Sequence, residues 1–191
     1  MNPPLIGLAR LARLAFAGED LRPCRARLLD RLSRNENDAN ALLDLSTVIQ
    51  LMGQRDLGLS LQGLALQIQP LYRLQPAAAG GAGIRLLAIL SSGDLAENNV
   101  LEFLIEGSDV TLDMLYVSPD LPLPATLPDH DLAMVAVCET DRNRPLLQNL
   151  ETLLKAWPRP VICAPDRIAS TETCNLVAFI SRNWPRSRTI G

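Results

Sequence analysis

Apolar and polar positions change their spacing after residue 83. Before that point, residues 5–17, 20–33, 38–52 and 55–69 carry apolar side chains every three or four positions, which is the spacing of an amphipathic helix. From residue 84 onward, short continuous apolar runs alternate with helical segments. This alternation is typical of a parallel sheet that is covered on both faces. The pattern therefore predicts a helical region followed by an α/β region.

The apolar runs of the second half define its predicted elements. We expect strands at 84–90, 110–117, 131–138 and 160–164, with helices at 95–106 and 144–156. Right-handed crossovers would place these helices on the two faces of the sheet. The proline-rich stretch 120–131 has no periodicity and is expected to be a loop. The predicted fold class is α/β, with a small, Rossmann-like, mainly parallel four-strand sheet after the helical region.

Small residues mark the expected domain boundary. The stretch 74–83, LQPAAAGGAG, has two adjacent glycines and no periodicity, so we expect a flexible linker. The expected domains are then a helical region over 1–73 and an α/β domain over 84–171. Residues 172–191 are expected to form a C-terminal helix and tail.

The helices between residues 39 and 73 have the spacing of a helical repeat. Leu42, Leu45 and Ile49 fall on one face of the first helix, while Ser46 and Gly58 are small residues placed where two helices would cross. This spacing resembles a tetratricopeptide repeat of 34 residues, without its large aromatic residues. The alternative is an ordinary helical hairpin, because any close helix crossing favours small side chains.

Composition and charge exclude several classes of partner. The chain is 48% hydrophobic and 20% charged, with a net charge of −3, and no apolar run reaches the length of a membrane span. The arginines among residues 10–34 alternate with leucine at helical spacing and indicate a solvated helix face. Residues 84–191 are acidic and have no basic face for a phosphate backbone. We therefore expect neither a nucleic acid nor a membrane as partner.

The N-terminus does not have the order of residues of a signal peptide. No basic segment precedes the apolar part, and Arg10 and Arg13 interrupt it. We therefore expect a cytoplasmic protein.

The residue types that usually bind metals are scattered along the chain. The four cysteines form no C-x-x-C pair, so ordinary free thiols are expected at Cys24, Cys138, Cys163 and Cys174. His130 is the single histidine and is expected on the surface of the proline-rich loop. No nucleophile and base stand in a recognisable motif. We predict no metal site, no cofactor and no catalytic residue.

The carboxyl ends of the predicted strands hold the only candidate binding residues. Ligands of open parallel sheets collect at that edge. The candidates there are Ser91, Ser92, Gly93, Asn98, Asn99, Glu139 and Asp141. No glycine-rich phosphate motif is present, and Asp94 would cap the following helix and repel an anion.

Two longer stretches carry a family resemblance. Asn98, Glu102, Phe103 and Leu104 match in the first stretch, 93–117. The matching residues of the second stretch, 139–171, are Asn143, Arg144, Pro145, Leu146, Leu147, Trp157, Pro158, Arg159 and Pro160. Residues 35–171 thereby resemble bacterial proteins that join tetratricopeptide-type helices to an ATP-grasp ligase, and only their helical and pre-ATP-grasp portions. After Thr171 no residues match the ligase module, so the resemblance implies no catalytic residue in this chain.

Two functions remain open from the sequence. The first is a non-catalytic interaction module that binds a protein partner or a second copy of itself. The second is an enzyme, ligase-like or glycosyltransferase-like, that binds a nucleotide or nucleotide sugar at the carboxyl edge of the sheet.

Overall fold

The computed structural model describes residues 3–76, 83–118, 121, 123–124 and 126–165. In this part of the chain, the elements in order are α1 (Leu8–Phe16), α2 (Arg22–Arg34), α3 (Ala39–Leu51), α4 (Arg55–Ile68), β1 (Leu71–Leu74), β2 (Arg85–Ser91), α5 (Leu101–Ile105), β3 (Thr111–Val117), β4 (Leu132–Val135), α6 (Arg144–Leu154) and β5 (Val161–Ile162). The protein is thus a mixed α/β protein. The C-terminal helix expected within 172–191, and most of the expected linker, lie outside the described residues.

Local signals place the ends of α3 and its crossing with α4. Asp38 caps α3 by accepting a hydrogen bond from the Ala41 N–H at 3.1 Å. After α3, Gly53 turns the chain with a φ of 82°, a conformation that favours glycine. Ser46 and Gly58 lie where the two helices approach most closely, since a Cβ added at Gly58 would lie 2.8 Å from the Ser46 carbonyl oxygen.

The sheet has five strands in the order β1-β3-β2-β4-β5. All neighbouring pairs are parallel except β1 with β3, which is antiparallel. Four strands were expected, so the extra one is β1. Strand β1 is joined to β3 by residues that are far apart in the sequence. Arg73 lies opposite Asp113 in the register and forms a bidentate ion pair with it at 2.7 and 2.8 Å. The Tyr72 hydroxyl also donates to the Ala65 carbonyl of α4 at 2.8 Å.

Helices cover the two faces of the sheet unequally. One face packs on the helical region, and its core joins Leu42 of α3 and Leu66 of α4 to Leu86 of β2 and Leu112 of β3. The opposite face, with Leu87 and other alternate strand residues, packs against α6. The α1–α4 layer therefore shares a core with the sheet, and α6 is the one described helix in the opposite core.

The helix expected over 95–106 is much shorter in the structure. Only Leu101–Ile105 is helical, because the preceding residues pair with the chain after β4. The Cys138 N–H donates to the Glu97 carbonyl at 2.9 Å, and the Asn99 N–H donates to the Ala136 carbonyl at 2.6 Å. An isolated antiparallel bridge joins Asn98 to Val137. Backbone groups used in this way do not form the i to i−4 bonds of a helix.

Candidate functional site

The carboxyl ends of the parallel strands bring some of the candidate residues together. Ser91 ends β2, and its N–H donates to the side-chain oxygen of Asn98 at 2.8 Å, while the Asn98 amide donates back to the Ser91 carbonyl at 2.8 Å. The Ser91 hydroxyl also donates to Asn98, at 3.2 Å. Asn99 follows directly and bonds to the chain after β4. These three residues are therefore engaged with the protein itself.

The loop that follows β2 is bonded to helix α4 through Gly93 and Asp94. The Gly93 N–H donates to the side-chain oxygen of Gln62 at 2.8 Å, and Arg55 pairs with Asp94 at 2.8 Å. The Arg55 guanidinium lowers the pKa of Asp94, so this carboxyl stays charged. Ser92 lies between these contacts and is half-buried.

The candidates after β4 do not join this cluster. Glu139 is exposed, and Asp141 is exposed and pairs with Arg144 at 2.7 Å. A side-chain contact between Glu97 and Asn143 also connects the two loops, and the sequence analysis did not include these two residues among its candidates. The Asn143 amide donates to Glu97 at 2.8 Å and to the Cys138 carbonyl at 3.0 Å. No sequence motif marks this contact, because the two residues are 46 positions apart.

The backbone after β2 does not form a phosphate-binding site. No helix starts directly after β2, so the backbone N–H groups that would hold a phosphate are not aligned there. The arginines at this edge are also engaged, since Arg55 pairs with Asp94 at 2.8 Å and Arg142 pairs with Glu97 at 3.4 Å. Within the described residues, no group of three or more acidic, histidine or cysteine side chains is arranged to hold a metal ion.

The cysteines divide into three situations. Burial raises the pKa of Cys24, and burial together with Glu97 raises the pKa of Cys138, so neither is a ready nucleophile. Cys24 is buried and Cys138 is half-buried, and both are free. Cys163 is disulfide-bonded, so the expectation of a free thiol there was wrong. Cys174 lies outside the described residues.

His130 is buried, contrary to the expectation of a surface histidine. It is 5% exposed, and its Nε2 accepts a hydrogen bond from the Trp157 indole N–H at 3.0 Å. The other ring nitrogen, Nδ1, lies 2.8 Å from the Pro128 carbonyl and donates to it. The contact with Trp157 joins the proline-rich loop to the segment that follows α6.

A small cavity with a mainly apolar lining lies between the helical layer and the sheet. It has a volume of about 60 Å³. Asp44, Gln62, Glu102 and Tyr116 are among the residues that line it. The two carboxylates have partners: Asp44 accepts the N–H groups of Ile6 and Gly7, and Glu102 accepts the N–H of Ala9. Burial raises the pKa of Asp44 to about 6 and that of Glu102 to about 7.

An apolar groove lies on the opposite face of the sheet, beside α6, and we call it the α6 groove. Its volume is about 230 Å³. It is lined by Ile89, Leu115, Val117, Ser118, Leu121, Leu123, Pro124, Leu127, Leu146, Asn149, Leu150, Leu153 and Trp157. Leu123 and Leu153 at its rim are 51% and 39% exposed. The groove therefore offers apolar surface with few polar groups.

Comparison with known proteins found no relative of this chain. No family model, no curated protein and no solved structure matches the chain. Among the described residues, no helix has both the length and the apolar content needed to cross a membrane.

Proposed function

We propose that the protein is a non-catalytic interaction module whose α6 groove binds apolar side chains of a partner polypeptide. The single observation that carries this proposal is the groove itself, which leaves leucines of a loop and of α6 exposed around an apolar floor. Exposed apolar surface of this kind is typical of sites where proteins bind one another. A partner helix or extended segment would place one or two large side chains in the groove.

The size and lining of the groove favour a peptide anchor over a nucleotide. Pockets for drug-sized ligands have volumes of about 300–1,000 Å³, and the groove has about 230 Å³. Only Ser118 and Asn149 among its lining residues carry side-chain hydrogen-bonding groups other than the Trp157 indole. That indole N–H already donates to His130. A sugar or phosphate would find few partners here.

The carboxyl edge of the sheet also supports a non-catalytic function. Ser91, Asn98 and Gly93 direct their hydrogen-bonding groups to other residues of the chain. The buried carboxylates Asp44 and Glu102 hold backbone N–H groups. No described pair of nucleophile and base is in hydrogen-bond contact at this edge.

The experiment is a selection of helical peptides from a displayed library against the 191-residue chain. Binding is measured by the emission of Trp157, which lines the groove, in a Trp184→Phe background that leaves it as the single tryptophan. We expect Leu153→Glu to lower the affinity for a selected peptide at least about tenfold. One charged group placed against apolar surface costs more than about 1.4 kcal/mol of binding free energy. Leu104→Glu is the matched control, since Leu104 is 63% exposed and belongs to α5.

Two results would contradict the proposal. One is a set of selected peptides that bind Leu153→Glu as tightly as the unaltered chain. The other is thermal stabilisation by a nucleotide or nucleotide sugar that Gly93→Val abolishes, which would support the ligand-binding enzyme instead. Gly93→Val is informative because a Cβ at Gly93 would collide with the Glu97 side chain.

A further inference from the structure

Cys163 is the one disulfide-bonded cysteine among the described residues. The chain has four cysteines, and the structure shows Cys24 and Cys138 as free thiols. A disulfide within one chain needs a second cysteine, and Cys174 is the remaining one. Residues 164–173 lie between these two cysteines, so a bond between them would close a short loop after β5.

The backbone of Cys163 has an unusual conformation. Its φ is 53°, and among the described residues it is the single residue other than glycine with a positive φ. This left-handed conformation is unfavourable for a residue with a Cβ, and it persists only where the surrounding structure holds it. Residues strained in this way are concentrated at functional sites and switch regions. The conformation therefore indicates that the contacts of Cys163 impose its position.

The surroundings of Cys163 shield its sulfur, but the strand before it is weakly held. Cys163 is 8% exposed and belongs to the core cluster that contains Met134 of β4 and residues of the helical layer. Strand β5 has two half-buried residues and lies at the edge of the sheet, where it pairs with β4. A short edge strand opens locally more easily than a central strand. A small reagent can therefore reach the sulfur when β5 opens.

We propose that Cys163 and Cys174 form a reversible disulfide that joins the segment after β5 to the sheet under oxidising conditions. Disulfides of cytoplasmic proteins, the compartment that the sequence predicts, are usually transient and redox-sensing. Strain at a disulfide makes it easier to reduce. The side chain of Cys163 packs in the core beneath the helical layer, whereas the α6 groove lies on the opposite face of the sheet, so the two proposals stand or fall separately.

A low-molecular-weight thiol such as glutathione supplies the electrons that open the bond. Its thiolate attacks one sulfur and breaks the S–S bond, and the displaced cysteine leaves as a thiolate that takes up a proton. A second small thiolate attacks the resulting mixed disulfide and releases the other cysteine, which also takes up a proton. In total, two small thiols become one small disulfide, and their protons pass to Cys163 and Cys174. A low-molecular-weight disulfide reverses these steps and closes the bond again.

Peptide mapping of the 191-residue chain tests the pairing. The chain is incubated with oxidised glutathione, its free thiols are blocked with N-ethylmaleimide, and trypsin then cleaves between the two cysteines at Arg167. We expect a disulfide-linked pair of the peptides 156–167 and 168–182. Prior incubation with reduced glutathione at about 10 mM should remove this pair. A Cys174 that N-ethylmaleimide blocks in the oxidised sample, or a linked pair that persists in reduced glutathione, would overturn the proposal.

Thermal unfolding tests whether the bond holds the segment in the folded protein. Closing a loop of this size should raise the melting temperature of the oxidised chain by about 5–10 °C over the reduced chain. Cys174→Ser should remove this difference, and Cys138→Ser, at a free and half-buried cysteine, should keep it. Equal melting temperatures of the two states of the unaltered chain, or a difference that remains in Cys174→Ser, would contradict the proposal. Circular dichroism checks the folding of both variants, and the peptide map of the unaltered chain needs neither of them.

Discussion

Two buried carboxylates join the start of α1 to the rest of the protein. Asp44 of α3 is 1% exposed and Glu102 of α5 is 8% exposed, and both accept backbone N–H groups at the beginning of α1. These N–H groups have no partner within the helix, and the positive end of the helix dipole favours a carboxylate there. Gly7 permits the contact, because its φ is 89° and an added Cβ would lie 2.7 Å from the Glu102 carboxylate.

This arrangement predicts a particular pH dependence. Burial raises the pKa of Asp44 to about 6 and that of Glu102 to about 7, whereas both carboxyls titrate near pH 4 in an unfolded chain. The folded state therefore binds more protons between about pH 4 and pH 7, and the free energy of unfolding should fall as the pH rises through that window. The expected loss is on the order of 3 kcal/mol for each carboxyl.

Urea unfolding between pH 4.5 and pH 8 measures this dependence. Glu102→Gln removes one of the two titrating groups and should make the pH profile flatter. Glu151→Gln, at a half-exposed position on α6 that pairs with Lys155, is the control and should keep the steep profile. A profile that is equally steep in Glu102→Gln would show that this carboxyl is not the cause.

The two glycines of helix α4 have different surroundings and therefore different effects on stability. The helix contains two glycines, and both lower its intrinsic stability. Gly58 faces α3, where an added Cβ would lie 2.8 Å from the Ser46 carbonyl and 3.2 Å from the Gln50 nitrogen. Gly63 has open space, because a Cβ there would meet no atom within 4 Å.

The two glycines should therefore respond in opposite directions to alanine. Gly58→Ala should destabilise the protein by about 1–3 kcal/mol, because the backbone of α3 must move. Gly63→Ala should stabilise it by about 0.5–1 kcal/mol, because alanine favours the helix and meets no obstacle. Urea unfolding measures both changes. Changes of the same sign would contradict the close crossing of α3 and α4.

At the scale of the whole molecule, the helical layer and the sheet share one core. Leu42 and Leu66 of the helical layer pack in the same cluster as Leu112 and Met134 of the sheet. Tyr72 strengthens this connection, since it belongs to β1 and its hydroxyl bonds to α4. Elements that share a core in this way lose their packing together.

We therefore expect the described part of the chain to unfold in one transition. Circular dichroism at 222 nm reports mainly on α1–α4, which contain most of the described helical residues. The emission of Trp157 in a Trp184→Phe background reports on the sheet beside α6. The two urea profiles should coincide. Two separated transitions would instead support independent domains on either side of residues 74–83.

The sequence by itself determined the features that depend on neighbouring residues. The helical spacing before residue 70, the Asp38 cap and the turn at Gly53 are local signals, and the structure has helices that begin and end beside them. The apolar runs from residue 84 likewise predicted a mostly parallel sheet, because strands buried on both faces carry continuous apolar residues. The sequence placed its candidate binding residues at the carboxyl edge of the sheet, and it did not indicate the α6 groove.

Only the tertiary structure decided the features that depend on distant partners. Residues 71–74 became a strand because Arg73 meets Asp113, which is 40 positions away. His130 became buried because Trp157, 27 positions away, donates to its ring. The expected helix over 95–106 was shortened because its first half bonds to the chain after β4. Each outcome depends on contacts between segments that are distant in the sequence and that folding brings together. Local residue patterns do not predict such contacts.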